Sequence, residues 1–383
     1  MESLEKDIGF VALGGAGLGV AARLQMDLSD RVCVSVIDTD ARALAATTVG
    51  VKLQAGSKRT GGQGCGGDVG QGRLSVEDEI SAIRDLVLGQ RMVVVFAGLG
   101  GGTGSGGIGT VLRAARESDC FSVAVVTMPF GFEGSGRLEK AAQALSAVQE
   151  TADLVLALSN DRVVEHIGDR DVATTFAMAD AILGESVAAL CNLFVRPGYI
   201  KLDLGDLRRL AQHCGAPFSL GFGAASGADR VDTALRQLLD GPLLNAGQVL
   251  EQASGVMVGI LGGQDLRLSE ISAVMSGIQL RTKVDCQLVM GTTIDAKADD
   301  SLTLVLLCTD TWDDEAPPVP VVSVDRPKPA RGSRNRGKKS QLQPLLGLDM
   351  SGKDRFKDVE ATIIDGEDLD IPTYVRRGIR LEK

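Results

Sequence analysis

Aromatic residues are scarce in this 383-residue chain: ten Phe, two Tyr and the single Trp312. That composition argues against a stacking platform for single-stranded nucleic acid. Clustered cysteine is missing too. Cys33, Cys65, Cys120, Cys191, Cys214, Cys286 and Cys308 are scattered with no CxxC pair. They read as reduced core thiols of a cytoplasmic protein rather than a disulfide framework or a thiolate metal site. There is no excess of positive charge; the net charge of -10 makes the chain soluble and a poor general binder of polyanions. No apolar run approaches the length that spans a bilayer. The start, MESLEKDIGFVAL, lacks the basic-then-apolar layout of a signal peptide. A P-loop is absent as well. GxxxxGK[ST] nearly forms at Gly332–Lys339 and Gly347–Asp354, but neither ends in Ser or Thr and neither follows a strand.

Glycine is abundant. Its 48 residues cluster without a period, so collagen-like and low-complexity readings fail. Five short apolar runs each lead into a glycine-rich or polar loop. IGFVAL (8–13) precedes GGAGLG, and VCVSVI (32–37) precedes DTDARAL. MVVVFAGL (92–99) precedes GGGTGSGG, FSVAVVTM (121–128) precedes PFGFEG, and LVLALS (154–159) precedes NDR. Such runs, alternating with helical patterns, predict an α/β fold with a Rossmann-like parallel sheet covered on both faces. The loops then gather beyond the carboxyl ends of the strands, around one site.

The expected organisation is a nucleotide-binding domain over 1–170, then a core helix and following loop over 171–204. The helix, 172–194, is apolar on most sides and should be buried. A second, smaller α/β domain is expected over 205–312, with strands at 255–261, 286–292 and 301–309 and a helix near 268–280. Residues 313–357 are proline-rich and then basic, and read as a disordered linker of about 45 residues reaching roughly 35–40 Å. A terminal segment, 358–383, closes the chain.

The strongest local signal runs from Gly98 to Gly107. After a strand and before a helix, its glycines let backbone N–H groups approach phosphate oxygens, and the helix adds its N-terminal partial charge. Thr103 and Ser105 would supply hydroxyl donors there. A second loop, Gly14-Gly15-Ala16-Gly17-Leu18-Gly19, lacks strict GxGxxG spacing. Asp38 and Asp40 end the second strand in the manner of a ribose-binding acid, so a nucleotide-dependent dehydrogenase remains an alternative on these residues alone. A third glycine loop, Gly61–Gly70, suits a triphosphate better than a dinucleotide.

GGGTGSG resembles the phosphate loop of the tubulin/FtsZ GTPase superfamily, and the likeness to its FtsZ branch extends over residues 8–312 and the final segment. VIDTDARAL is similar to the family's NTDAQAL, VVTMPFGFEGSGR to VVTKPFxFEGxxR, and VRPGYIKLDLGDLRRL to TRPGLINLDFADVRTVM. GVMVGILGGQDLRLSEIS is similar to GVLVNITGGPDLSLxEV, and GEDLDIPTYVRR to DDLDIPTFLRR. The resemblance implies GTP or GDP held by Gly14, Gly15, Ala16, Gly17, Asp40 and Gly100, Gly101, Gly102, Thr103, Gly104, Ser105, Gly106. It places Glu133 and Arg137 at ribose and guanine, Asn160 at guanine, Phe176 as a stacking face and Asp180 as the guanine-binding carboxylate. A carboxylate suits two adjacent N–H donors and rejects adenine.

It further implies head-to-tail filaments in which Asp203 and Asp206 enter the next subunit's site and polarise the attacking water, with Mg²⁺ on the phosphates. The 367–377 peptide would bind membrane-tethering and division regulatory proteins, making membrane contact indirect; no specific nucleic acid is expected. The division site in the cytoplasm follows as the expected location, and a divergent, weakly hydrolysing filament protein outside division as the alternative. The chain departs from the family pattern at Leu18 and Gly19, the latter standing where the family has asparagine, and at Lys201, again in place of asparagine. Its third glycine loop is two residues short.

Overall fold

The computed structural model describes residues 7–28, 30–196, 198–212, 217–244, 247–296 and 298–309, with the backbone of Ile363–Ile364 and Glu367–Asp368. Most of the linker and terminal peptide therefore lie outside the described residues.

Six parallel strands form the first sheet: β1 (Ile8–Leu13), β2 (Val32–Asp38), β3 (Val51–Gln54), β4 (Met92–Gly98), β5 (Phe121–Met128) and β6 (Leu154–Ser159), in the order β3-β2-β1-β4-β5-β6. The intervening helices are α1 (Gly15–Leu28), α2 (Ala41–Ala46), α3 (Ser57–Thr60), α4 (Val69–Glu77), α5 (Ile80–Val87), α6 (Gly102–Glu117), α7 (Ser135–Thr151) and α8 (Asn160–Ile167). Strand side chains alternate between two buried faces. Phe10, Val34, Val94 and Val123 face one cluster with Leu24 of α1. Val11, Ile37, Val93 and Ala124 face another with Val76, Ile83, Val111 and Val148 from α4 to α7. Burial on both faces is why these strands read as continuous apolar runs.

α9 (Val172–Val195) follows, then α10 (Leu204–Gln212), β7 (Ser219–Ser226), α11 (Arg230–Asp240), α12 (Gln248–Gln252), β8 (Gly255–Gly262), α13 (Leu268–Gln279), β9 (Gln287–Ile294) and β10 (Ser301–Thr309). The second sheet has the order β7-β10-β8-β9, with β10 antiparallel to β7 and β8, and β8 parallel to β9. One of its faces covers Ala234, Leu238, Val274 and Ile278 of α11 and α13. Met257, Leu261, Val305 and Leu307 on the other face join the cluster that contains Phe10 and Leu190. One core thus runs through both sheets, and residues 1–320 form one compact unit. The terminal pair, β11 (Ile363–Ile364) and β12 (Glu367–Asp368), is antiparallel and belongs to a separate unit.

The helix expected at 172–194 is present but buried in only part of its length. From Ala179 it enters the core, where residues such as Leu190 and Leu193 contribute roughly 1.5–3 kcal/mol each by burial. Val172, Phe176 and Met178 in its first turns are exposed. By length and composition α9 would suffice to cross a bilayer, against the expectation that no such run exists; here just over half of that stretch is buried in the protein. Cys33, Cys65, Cys120, Cys191 and Cys286 are free thiols. Complete burial pushes the Cys191 thiol up to about 12, as suits a core residue.

Candidate functional site

The strand order reverses direction between β1 and β4, and in an open parallel sheet a crevice forms outside the carboxyl ends at such a point. A cavity of about 510 Å³ lies there, within the size range of small-molecule sites. Leu13–Ala16 after β1 and the loop after β4 form one side. Pro129, Phe130, Phe132, Glu133 and Arg137 after β5, Asn160 at the start of α8, and Phe176 on α9 form the other.

The loop between β4 and α6 is built to present backbone. Gly101 caps α6 without any side-chain hydrogen bond, leaving the first N–H groups of the helix facing the cavity. Gly100 has φ of +89°, which L side chains rarely adopt, and a Cβ there would lie 2.8 Å from Arg137 Cγ. At Gly104 a Cβ would meet the Gly98 carbonyl oxygen at 2.4 Å. The two hydroxyls expected to reach phosphate are engaged inside the protein instead. Ser105 Oγ accepts from the Gly100 N–H at 2.8 Å, bracing the loop from behind. Thr103 Oγ1 lies 2.7 Å from Thr39 Oγ1, beside the buried Cys65.

Of the residues expected at a nucleotide, Gly14, Gly15, Ala16, Gly101, Gly102, Thr103, Gly104, Glu133, Arg137, Asn160 and Phe176 meet around the cavity. Gly17 and Gly100 stand behind that wall. Gly17 permits close packing of α1 on Ala12, where a Cβ would be 2.8 Å from the Ala12 Cβ. Ser105 and Gly106 instead line a neighbouring cavity of about 750 Å³ between α4, α6 and α7. Asp40 caps α2, accepting from the Arg42 and Ala43 N–H groups. Glu133 Oε1 accepts from the Phe130 N–H, and its carboxylate pairs with Arg137, so the β5 loop is tied to the start of α7. Asp161 accepts from the Gly131 N–H, tying that loop to α8.

The third glycine loop, expected to cradle phosphate, does not line this cavity. Gly66, Gly67 and Gly70 border the neighbouring one, with Lys140 Nζ donating to the Gly67 carbonyl. Cys65 and Asp68 of the loop pack against Gly102. Its role in this structure is to support the α6 loop from outside.

Two carboxyls near the site are pushed above the ordinary range. Asp38, 4% exposed, is raised chiefly by burial, although its Oδ1 accepts from the Thr39 and Asp40 N–H groups. Asp180, one turn beyond Phe176 on α9, is exposed and lies outside the cavity lining; partial desolvation raises its pKa. Its side chain rests over Gly19.

Asp203 and Asp206 form a reciprocal cap on α10: Asp203 Oδ1 accepts from the Asp206 N–H at 3.0 Å and Asp206 Oδ2 from the Asp203 N–H at 3.1 Å. Both lie away from the cavity lining within this chain. Lys201 beside them is exposed and forms no ion pair with a described residue, Asp203 included. Next to it, Tyr199 is 84% exposed.

Sequence reasoning passed over Phe130 and Phe132. Their rings stack at 4.9 Å, and Phe130 meets Phe176 edge-on at 5.8 Å, giving the cavity an aromatic wall. The signal was available: PFGF places two aromatics together in a chain that has thirteen.

Family comparison agrees with this geometry. The GTPase-domain model of the Tubulin/FtsZ family matches residues 7–168, and the C-terminal-domain model of the FtsZ family matches 218–311. The structure of an empty FtsZ dimer from M. jannaschii is similar at 28% identity, covering 80% of this chain and 89% of that one, with a TM-score of 0.73. CetZ2 from Haloferax volcanii, solved as a GTPgS-bound protofilament, shares the fold at 21% identity, with 81% and 95% coverage and a TM-score of 0.66. GDP-bound CetZ1 from the same organism shares it at 18%, with 81% and 96% coverage and a TM-score of 0.68. With its first domain matching the family's GTPase-domain model and its second the C-terminal-domain model, this chain belongs to the Tubulin/FtsZ family as a divergent member.

Proposed function

We propose that this chain binds GTP in the cavity between β1 and β4, assembles head to tail, and hydrolyses GTP at the contact between subunits to form a cell-division ring. The observation that carries the reading is the uncapped N-terminus of α6 opening onto the same cavity as Phe176 and Asn160. Phosphates suit the former and a purine ring the latter. Gly101–Gly104 would hold the phosphates, Phe130 and Phe176 the base, and Asp180 its N–H edge.

The described residues contain no cluster of three or more acidic, His or Cys groups that could hold a metal. Mg²⁺ would therefore arrive largely on the phosphate oxygens, as is common for this ion, and would offset their charge. The carboxylates at 203 and 206 lie outside the chain's own cavity. They are free to serve a neighbour's, where a negative charge could orient the attacking water. Partner binding by the 367–377 peptide and location at the cytoplasmic division site belong to the same proposal. The peptide is outside the described residues apart from the backbone of Glu367–Asp368.

A slowly hydrolysing filament protein with another cellular role is the second reading. Lys201 favours it, since an exposed ammonium beside Asp203 and Asp206 would partly offset their charge in the assembled contact. Sedimentation of the purified chain with GTP, ATP and NAD, with phosphate release followed in parallel, tests the proposal. Polymer should pellet with GTP alone. Equal pelleting without nucleotide, or a preference for NAD, would overturn it.

A further inference from the structure

Five glycines fall in the first eight residues of α6, and close neighbours account for four of them. A Cβ would lie 2.8 Å from Cys65 Cβ at Gly102 and 2.4 Å from the Gly98 carbonyl oxygen at Gly104. It would lie 2.3 Å from the Val69 carbonyl oxygen at Gly106 and 2.6 Å from Val76 Cγ2 at Gly107. Gly109 is different. Apart from the helix backbone, the nearest atom is Arg113 Nη1 at 4.0 Å, the end of a long side chain of the same helix. Glycine inside a helix costs stability relative to alanine, so one that no contact requires has another reason to be there. Gly109 lines the cavity of about 750 Å³ between α4, α6 and α7.

That cavity has the size of a small-molecule site. Its floor is apolar, with Ile108, Ala144 and Val148 all buried. Its charged lining is Arg73, Arg113 and Lys140 against one acid, Asp68, whose Oδ1 already accepts from the Gln71 N–H. In a chain of net charge -10 this is a local excess of positive charge. The cations keep donors to spare. Arg113 reaches Glu77 and Thr110 through Nη2, which leaves Nη1, over Gly109, with its N–H groups. Lys140 spends one of three N–H groups on the Gly67 carbonyl. Along α7 the lining runs from Lys140 to Thr151, about 16 Å of helix. Arg116 Nη2 donates to the Thr151 carbonyl, so the Arg113 end of α6 lies at the far end of that run.

We propose that this cavity binds a small soluble anion with an apolar body, of the alkyl phosphate or fatty carboxylate kind, and that Gly109 lacks a side chain in order to admit it. The anionic head takes the spare donors of Arg113, whose planar fork suits carboxylate and phosphate alike. The apolar body lies over Gly109 against Ala144, Ala147 and Val148. No lining residue is shared with the cavity between β1 and β4, so the proposal stands apart from the GTP-binding reading.

Hexyl phosphate titrated into the full chain, followed by calorimetry and methyl NMR, tests this, with inorganic phosphate and hexanol as the two halves of the probe. Hexyl phosphate should bind at least tenfold more tightly than either half and shift the methyl signals of Ile108, Ala144 and Ala147. Gly109→Ala should melt at a higher temperature than wild type while binding the probe at least threefold more weakly. Gly109→Leu fills the cavity and should weaken binding at least tenfold. Ala147→Glu, at an exposed position that tolerates the change, should do the same by charge repulsion, and it keeps the test decisive if Gly109→Leu fails to fold. Absence of binding, hexanol binding as tightly as hexyl phosphate, or full affinity in folded Ala147→Glu would overturn the site. So would shifts confined to Ala16 and Leu99, which line the other cavity. A Gly109→Ala protein that melts lower than wild type would assign the glycine to packing and remove its role.

Discussion

Asp38 shows how one buried acid sets a local energy balance. It is nearly inaccessible, and burial outweighs the two backbone N–H groups and the Thr103 hydroxyl that favour its charge, with Asp40 repelling it as well. Its folded-state pKa therefore lies above the ordinary 3.8. The folded protein holds the proton more tightly than the unfolded chain, so the residue destabilises increasingly as pH rises through that raised value. Below about 3.8, where both states are protonated, the penalty vanishes. Asn at this position, which the similar family loop NTDAQAL carries, keeps an acceptor for the Thr39 and Asp40 N–H groups without the charge. Asp38→Asn should accordingly unfold at higher denaturant concentration than wild type at pH 7, with the difference shrinking toward pH 4. An equal or larger difference at low pH would show that burial is not the cause.

At the scale of elements, the pair of aspartates at the start of α10 forms a cap and, under the proposed function, would also serve the neighbouring subunit's site. Asp203 and Asp206 satisfy each other's backbone N–H groups, and the sequence LDLGDL was open to that plain reading as well as to the catalytic one. The roles separate by substitution. Asp206→Ala removes an acceptor from the cap and should cost about 1 kcal/mol of stability. Asp206→Asn retains an acceptor but loses the charge, so its cost should be smaller. Both should reduce phosphate release per assembled subunit at least tenfold. Near wild-type release from Asp206→Asn, measured at equal polymer mass, would leave the residue as a cap only.

Long elements were legible because burial dictates their composition: β1, β5, β6 and β10 begin and end where their apolar runs do. Two strands escaped notice for physical reasons. β3 has four residues, two of them exposed, too few for a pattern. β7 is interrupted by glycines that let α11 and Leu244 approach; a Cβ at Gly223 would lie 2.1 Å from the Ala234 carbonyl oxygen. That the glycine loop after β4 and Phe176 share one site was readable from motifs, and both line the cavity. The inward turn of Thr103, the bracing by Ser105 and the outward place of the third glycine loop were not, because each depends on which neighbour stands opposite.

For the whole molecule, the decisive feature is the separation of the cavity from the aspartates at the start of α10. The cavity between β1 and β4 gathers groups suited to a nucleotide, and the two aspartates on α10 stand outside it in the same chain. If the proposed function holds, an isolated subunit binds GTP but lacks the groups that orient water, and turnover becomes a property of the filament. The core continuous through both sheets fits this arrangement, since it fixes the cavity and α10 to one body. The most direct measurement is phosphate release per chain across a protein concentration series at saturating GTP, with light scattering recorded on the same samples. Release should be negligible at low concentration and rise steeply at the concentration where scattering begins. A specific rate that stays constant while the chain remains monomeric would contradict hydrolysis between subunits.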